Sequence, residues 1–171
     1  MINQIVLKAL NEQFEKEFYS SNLYLSMAAY FSANSLNGFA NWMRIQAKEE
    51  MDHAMLIFDY ILQRGGEVIV PKINEPEHKW DSILEVITAT YKHEQFVTES
   101  IHNLYSLATE HKDFATCNFL QWFIKEQVEE EENTSELEAR VKLCDNNKSY
   151  IFLIDTELKS RVYTPVSINQ I

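Results

Sequence analysis

Lys48-Glu49-Glu50-Met51-Asp52-His53-Ala54 is the stretch around which the rest of the chain is organised. On a helix, Glu50 and His53 lie three residues apart and project from one face. The residues on either side give that face its meaning. Phe39, Met43, Gln46, Glu50, His53, Ile57 and Tyr60 follow one another in alternating steps of four and three, the seam of a core-facing helix. Glu50 and His53 therefore stand at core positions, halfway along an apolar stripe.

Three further segments repeat the pattern. Leu7, Leu10, Phe14, Glu17, Ser21, Tyr24, Ala28 and Phe31 form one seam. Leu84, Ile87, Tyr91, Glu94, Thr98, Ile101, Tyr105 and Ala108 form another, and Leu120, Phe123, Gln127, Glu130, Thr134, Leu137 and Val141 a fourth. Each carries an acid near its midpoint. A lone glutamate in a seam reads best as a solvated or mis-registered residue, because an unpartnered buried charge costs several kcal/mol. Four seams broken at the same depth read differently. Four acids at one level repel one another unless cations compensate them, and protonating all four is a poor alternative at neutral pH. The pattern predicts a metal site inside a bundle of four helices.

Composition agrees. With 171 residues and 46% hydrophobic content, the chain can build one domain (1–171) with a sizeable core. Three Gly and three Pro are too few for a turn-rich protein, and with the long helical periodicities they indicate an all-α fold. A formal net charge of −11 argues against nucleic acid and anionic membranes as partners and suits cations. Cys117 and Cys144 form no Cys-x-x-Cys pair and read as reduced structural thiols. Lys8, Glu12, Glu15 and Lys16 interrupt the N-terminal apolar residues, so no secretory signal is read, and Tyr150 to Ile154 is too short to span a bilayer. The expectation is a soluble, cytoplasmic protein.

The first helix is expected from about Asn3 to Asn34, ending at Ser35-Leu36-Asn37-Gly38; so short a connection makes the second helix its antiparallel neighbour. The second runs to Arg64 and stops at Gly65-Gly66, both read as supplying the positive φ of a helix end. Pro71 and Pro76 keep the segment from Gly65 to Trp80 non-helical. Extended, it reaches about 50 Å, against about 40 Å for the second helix, long enough to return along the whole bundle. Ser82-x-x-Glu85 opens the third helix as a capping box, and Asp113 caps a fourth that continues to about Leu143. Asp145-Asn146-Asn147 breaks the chain. The bundle thus covers about 3–143, followed by a short apolar helix at about 149–161, expected to dock on the bundle or on neighbouring subunits, and a loose tail at 164–171. One long crossover between helices two and three is the ferritin-like topology.

The ordered combination of Glu17-Phe18-Tyr19-Ser20-Ser21-Asn22-Leu23-Tyr24, Glu49-Glu50-Met51-Asp52-His53, Thr90-Tyr91-Lys92-His93-Glu94-Gln95, Asn118-Phe119-Leu120-Gln121-Trp122-Phe123 and Glu126-Gln127-Val128-Glu129-Glu130-Glu131 resembles the bacterial non-haem ferritins over essentially the whole chain. The resemblance implies that Glu17, Glu50 and His53 hold one iron and that Glu50, Glu94 and Glu130 hold a second. Gln127 would sit beside the second metal, and Tyr24 would hydrogen-bond a ligand carboxylate. A third iron site maps onto Glu49, Glu126, Glu129 and Glu130. It further implies ferroxidase chemistry: Fe(II) oxidised by dioxygen at a diiron centre, with ferric oxide-hydroxide stored in a hollow shell of twenty-four subunits. Trp122 could donate an electron or simply pack, and Tyr24 is a second candidate donor.

Two departures bear on the subtype. Gln127-Val128-Glu129-Glu130 stands where bacterioferritins carry a second Glu-x-x-His, which favours the non-haem side. Met51 stands where those proteins place a haem-ligating methionine, yet haem is not expected. Glu131 and Glu132 read as a solvated face, and His78, His93, His102 and His111, all off the seams, as surface or satisfied histidines. A DNA-coating mini-ferritin would place its metal between subunits, and a rubrerythrin-like peroxidase would bring a Cys-x-x-Cys module. A helical interaction module leaves the central acids unexplained.

Overall fold

In the computed structural model, which describes residues 2–145 and 147–166, the chain forms five helices and no strand among the described residues. They are α1 (Gln4–Ala33), α2 (Asn37–Gln63), α3 (Ile83–Glu110), α4 (Phe114–Leu143) and α5 (Lys148–Leu158). No described helix is long and apolar enough to cross a membrane.

The caps lie where side chains can supply them. Asn3, Ser82, Asp113 and Asn147 accept from the first-turn amides of Ile5, Glu85, Thr116 and Ser149. In the box at α3, Glu85 reaches back to the amide of Asp81, one residue before the cap. At the C-termini of α1, α2 and α3 the chain turns through a left-handed residue: Ser35 (φ 60°), Gly65 (φ 70°) and Lys112 (φ 55°). The following amides of Leu36, Gly66 and Asp113 close back on Phe31, Ile61 and Ala108 at 2.9 Å. Only Gly65 of the Gly65-Gly66 pair has positive φ. Gly66 is glycine for another reason, since a Cβ there would lie 2.7 Å from Leu7 Cδ1.

α1 packs along α2, α3 along α4, and α1 also meets α3. Residues 64–82 make the crossover. Asn11 of α1 brackets its start, donating to Glu67 O and accepting from Ile69 N, while Ser26 donates to Glu77 O and Tyr30 meets Trp80 edge-on near its end. The loop thus tracks α1 for fifteen residues, from Asn11 to Ser26, about 22 Å.

The seams of α1, α2 and α4 are buried at every position read from the sequence. On α3 the register is rotated. Ile87, Glu94, Ile101 and Ala108 point inward as expected, but Thr90, Val97 and Leu104 complete the buried row, and Leu84, Tyr91, Thr98 and Tyr105 are half-buried on its flank. Both rows are apolar enough to serve; tyrosines suit a flank that leaves the hydroxyl near water. The core falls into two clusters. One surrounds Tyr24, Phe31, Phe39 and Met43; the other surrounds Leu10, Phe14, Ile57 and Phe123. The acids lie between them.

α5 docks on α2 through Ile154 and Leu158, leaving Tyr150, Phe152 and Leu153 exposed. Its bounds are three residues shorter at the C-terminus than expected. Asp155 is the anchor. α2 has no side-chain cap of its own at Leu36, and Asp155 Oδ1 accepts from the amides of Gly38 (2.7 Å) and Phe39 (3.1 Å). Gly38 permits the approach, because a Cβ would lie 1.6 Å from the Asp155 carbonyl oxygen. Beyond α5 the chain runs back over α2: Tyr163 Oη and Val166 N both donate to Asp52, so the expected loose tail is tethered as far as Val166. The expectations for Asn146 and for 167–171 lie outside the described residues. Asp155→Ala, which strips this cap and leaves Lys159 unpaired, should cost about 1–2 kcal/mol and lower the melting temperature. Asp155→Asn, which keeps an acceptor, should cost less, and Gly38→Ala more than either by displacing α5. Calorimetry on the three variants checks the order.

Candidate metal centre

The seams bring Glu17, Ser21 and Tyr24 from α1, Gln46, Glu50 and His53 from α2, Glu94 from α3, and Gln127 and Glu130 from α4 into the layer between the two core clusters. Glu17, Glu50, His53, Glu94 and Glu130 are each no more than 4% exposed. Ligand atoms of Glu17, Glu50 and His53 all lie within 4.8 Å of one another.

Half of the carboxylate oxygens in the layer are held by side-chain donors. Glu17 Oε1 accepts from Gln13 Nε2 at 2.7 Å. Gln13 in turn accepts from Ser100 Oγ at 2.6 Å, and Ser100 from the Lys16 ammonium at 2.5 Å, so a chain of donors runs from the α1–α3 groove to Glu17. Glu94 accepts from Tyr24 Oη and, at 3.2 Å, from Gln127 Nε2, which also donates to the Glu94 carbonyl and to Thr98. Glu130 Oε2 accepts from Gln46 Nε2 at 2.8 Å. Among the described residues, three fully buried side-chain atoms have no partner: Glu17 Oε2, Glu50 Oε2 and His53 Nε2. They lie on the three residues of the tight group. His53 Nδ1 is 3.6 Å from Glu50 Oε2, too far for a hydrogen bond. Buried polar atoms are nearly always satisfied, so an orphan on each of three gathered residues marks a place for a cation.

The electrostatics agree. Burial, followed by the charges of Glu94, Glu17 and Glu130, pushes the Glu50 carboxyl well above the usual range. Burial raises Glu94 to about 7 against the lowering effect of Tyr24 and Gln127. Burial and then the Glu94 charge raise Glu130 to about 8. Tyr24 is pushed up by burial and by Glu94 and Glu50. Glu50 is thus the acid that feels the other three, and it lies on the helix facing α1 and next to His53.

Glu49, Glu126 and Glu129 stand to one side. Glu126 is half-buried and Glu129 exposed. Glu126 feels the charges of Glu129 and Glu49, and Glu130 that of Glu49, so the four acids are neighbours in an outer cluster, but they are not drawn together within 4.8 Å as Glu17, Glu50 and His53 are. Glu49 is already ion-paired, with Arg161 at 2.7 Å. Trp122 meets the His53 ring edge-on at 5.4 Å. His93, off the seam, is satisfied by Ser20 at 2.7 Å and lowered by burial to about 4.

Sequence reading missed Gln13, Gln46, Ser100 and Arg161 as parts of the site. Gln13 had a signal, being one helical turn before Glu17, and Gln46 sat on the α2 seam itself. Arg161 had none, since 112 positions separate it from Glu49.

Comparison with known proteins gives one answer. A ferritin-like domain profile matches residues 7–144. Bacterial non-heme ferritin of Campylobacter jejuni is 39% identical over 160 residues, covering 94% of this chain and 96% of that protein. The Bacteroides fragilis protein of the same name is 41% identical, covering 94% of this chain and 100% of its own. Among solved structures, an open-pore ferritin from the archaeon Archaeoglobus fulgidus superposes with a TM-score of 0.94 at 44% identity, over 95% of this chain and 100% of that one. A closed form engineered from the A. fulgidus ferritin gives 0.94 at 44% identity, over 96% and 100%. The family match across the bundle and near-full-length relatives named bacterial non-heme ferritin put this chain in the ferritin family.

Proposed function

We propose that the protein stores iron as a ferroxidase. It takes up Fe(II), oxidises it with dioxygen inside the bundle and deposits ferric oxide-hydroxide within a hollow homo-oligomer of twenty-four cytoplasmic subunits. Family membership supports iron storage. The observation that carries the ferroxidase reading is the gathering of Glu17, Glu50 and His53 in a buried layer, with ligand atoms within 4.8 Å of one another and an unpartnered buried polar atom on each residue. Carboxylates with a single imidazole are a donor set that suits iron.

Iron is the substrate here. Glu17, Glu50 and His53 would bind one Fe(II), and Glu50, Glu94 and Glu130 the other, with Glu50 shared. Gln13 holds one oxygen of Glu17 and Gln46 one of Glu130, and Tyr24 and Gln127 hold the two oxygens of Glu94, so all four would orient these carboxylates, the role such outer partners play around metal sites. Glu49, Glu126, Glu129 and Glu130 would take a third ion. Each Fe(II) gives one electron to dioxygen, and hydrolysis of the ferric product releases protons. The apolar clusters above and below keep the layer dry, so the carboxylates favour ions of higher charge. Trp122, in edge contact with His53, is placed to pass an electron to the site.

Fe(II) added to the iron-free protein in air should give rapid growth of ferric absorbance and iron-filled particles. His53→Ala should slow the first phase by at least about tenfold, the scale of losing one metal ligand or its support. Equal rates in both proteins, at the level of buffer, would exclude catalysis at this site.

The raised carboxyls also set a pH dependence. A carboxylic acid whose folded pKa exceeds its ordinary value of 4.5 binds more protons folded than unfolded, so stability falls as pH rises through the folded value. Glu94 and Glu130, at about 7 and about 8, should make the metal-free protein lose stability between about pH 5 and pH 8. Glu130→Gln should flatten that loss. A saturating divalent cation should reverse it, because metal displaces the protons and stabilises more as pH rises. Thermal melts across this range, with and without Co(II), test each point.

A further inference from the structure

The guanidinium of Arg161 fills a position that the iron-binding reading leaves unexplained. Arg161 lies beyond α5, on the segment that returns over α2. Its backbone carbonyl is pinned by Asn41 Nδ2 at 3.1 Å, and its guanidinium sits over Trp42, 4.9 Å from the ring centroid. From there the planar fork divides. Nη2 donates to Glu49 Oε2 at 2.7 Å, and Nη1 donates to Gln46 Oε1 at 2.5 Å.

Gln46 is fully buried, and its two ends are now committed. Because its oxygen accepts from Arg161, its Nε2 must face inward, where it donates to Glu130 Oε2. One guanidinium thus holds two of the four outer-cluster acids, Glu49 directly and Glu130 through Gln46. Two further contacts fasten the segment: Tyr163 Oη donates to Asp52 at 2.6 Å, and the Lys48 ammonium lies over the Tyr163 ring at 5.0 Å. Lys125 acts on Glu126. Arg161 is the cation in direct contact with Glu49, and it is only one-quarter exposed.

We propose that Arg161 is a positioning residue and tethered cation of the outer cluster: it occupies Glu49 and fixes Glu130 through Gln46, so that a third metal ion binds there only by displacing the guanidinium. This rests on the diiron reading above and deepens it. Glu17, Glu50 and His53 have no hydrogen bond to Arg161, and Glu130, shared with the second inner ion, is reached only through the neutral Gln46, whereas the outer ion must compete at Glu49 with a charge carried by the chain itself. The C-terminal segment thereby ranks the sites, inner pair first and outer ion last.

Anaerobic titration with Co(II), followed by calorimetry and by its visible absorption, reads both classes of site without turnover. Wild type should take up two ions tightly and a third weakly. Arg161→Met removes the charge and keeps an unbranched apolar stem; it should tighten the third ion by roughly tenfold, the scale of one charge-assisted contact, and leave the ion at Glu17, Glu50 and His53 unchanged. Arg161→Lys should restore weak third-ion binding. Tyr163→Phe, which loosens the segment by removing its hydrogen bond to Asp52 and touches none of the four outer acids, should shift the third ion in the same direction as Arg161→Met and by less. A third ion unaltered in Arg161→Met and Tyr163→Phe, or weakened in either, with two ions still bound, overturns this inference alone. Wild type that binds no Co(II) pair sensitive to His53→Ala overturns the diiron reading, and this inference falls with it.

Discussion

Four carboxylates, drawn from four helices, are buried at one depth with one imidazole and, among the described residues, no lysine or arginine between them. That is the constraint on which the rest of the molecule depends. Each acid alone would cost several kcal/mol to bury in charged form. Burial and mutual repulsion push the Glu50, Glu94 and Glu130 carboxyls up, and neutral donors rather than lysine or arginine contact the inner oxygens. Glutamine and tyrosine orient a carboxylate without cancelling its charge. A basic residue in their place would satisfy the layer permanently and leave a metal nothing to bind.

The architecture follows from protecting that layer. Two apolar clusters sandwich it. The crossover along α1 makes α3 and α4 a second hairpin against α1 and α2, so all four midpoints meet at one level. Basic groups enter only from the edges: Lys16 through Ser100 and Gln13 on one side, Arg161 through Gln46 on the other. Both reach the acids through an amide that conveys orientation and little charge. α5 belongs to the same scheme, because Asp155 at the α2 N-terminus fixes where the returning segment delivers Arg161.

The sequence made much of this legible, for physical reasons. A charged residue in an apolar seam violates helical amphipathicity, so Glu17, Glu50, Glu94 and Glu130 stand out without any structure. The helix ends were legible because caps and left-handed turns are local chemistry. The α3 register was not, because two adjacent rows are both apolar and only packing chooses Thr90 and Val97 over Tyr91 and Thr98. Gly66 was misread for a similar reason, since its need for a small side chain comes from Leu7, far away in the chain. Arg161 lay beyond any local rule; its partners are reached only after α5 has docked.

The most direct test of the central claim is a crystal structure of the protein soaked anaerobically with Fe(II), with anomalous difference maps at the iron edge. The account predicts two peaks within the acid layer, one beside Glu17 and His53 and one beside Glu94 and Glu130, with Glu50 between them. A layer with no peak at saturating iron, its carboxyl groups paired with one another through shared protons, would contradict it.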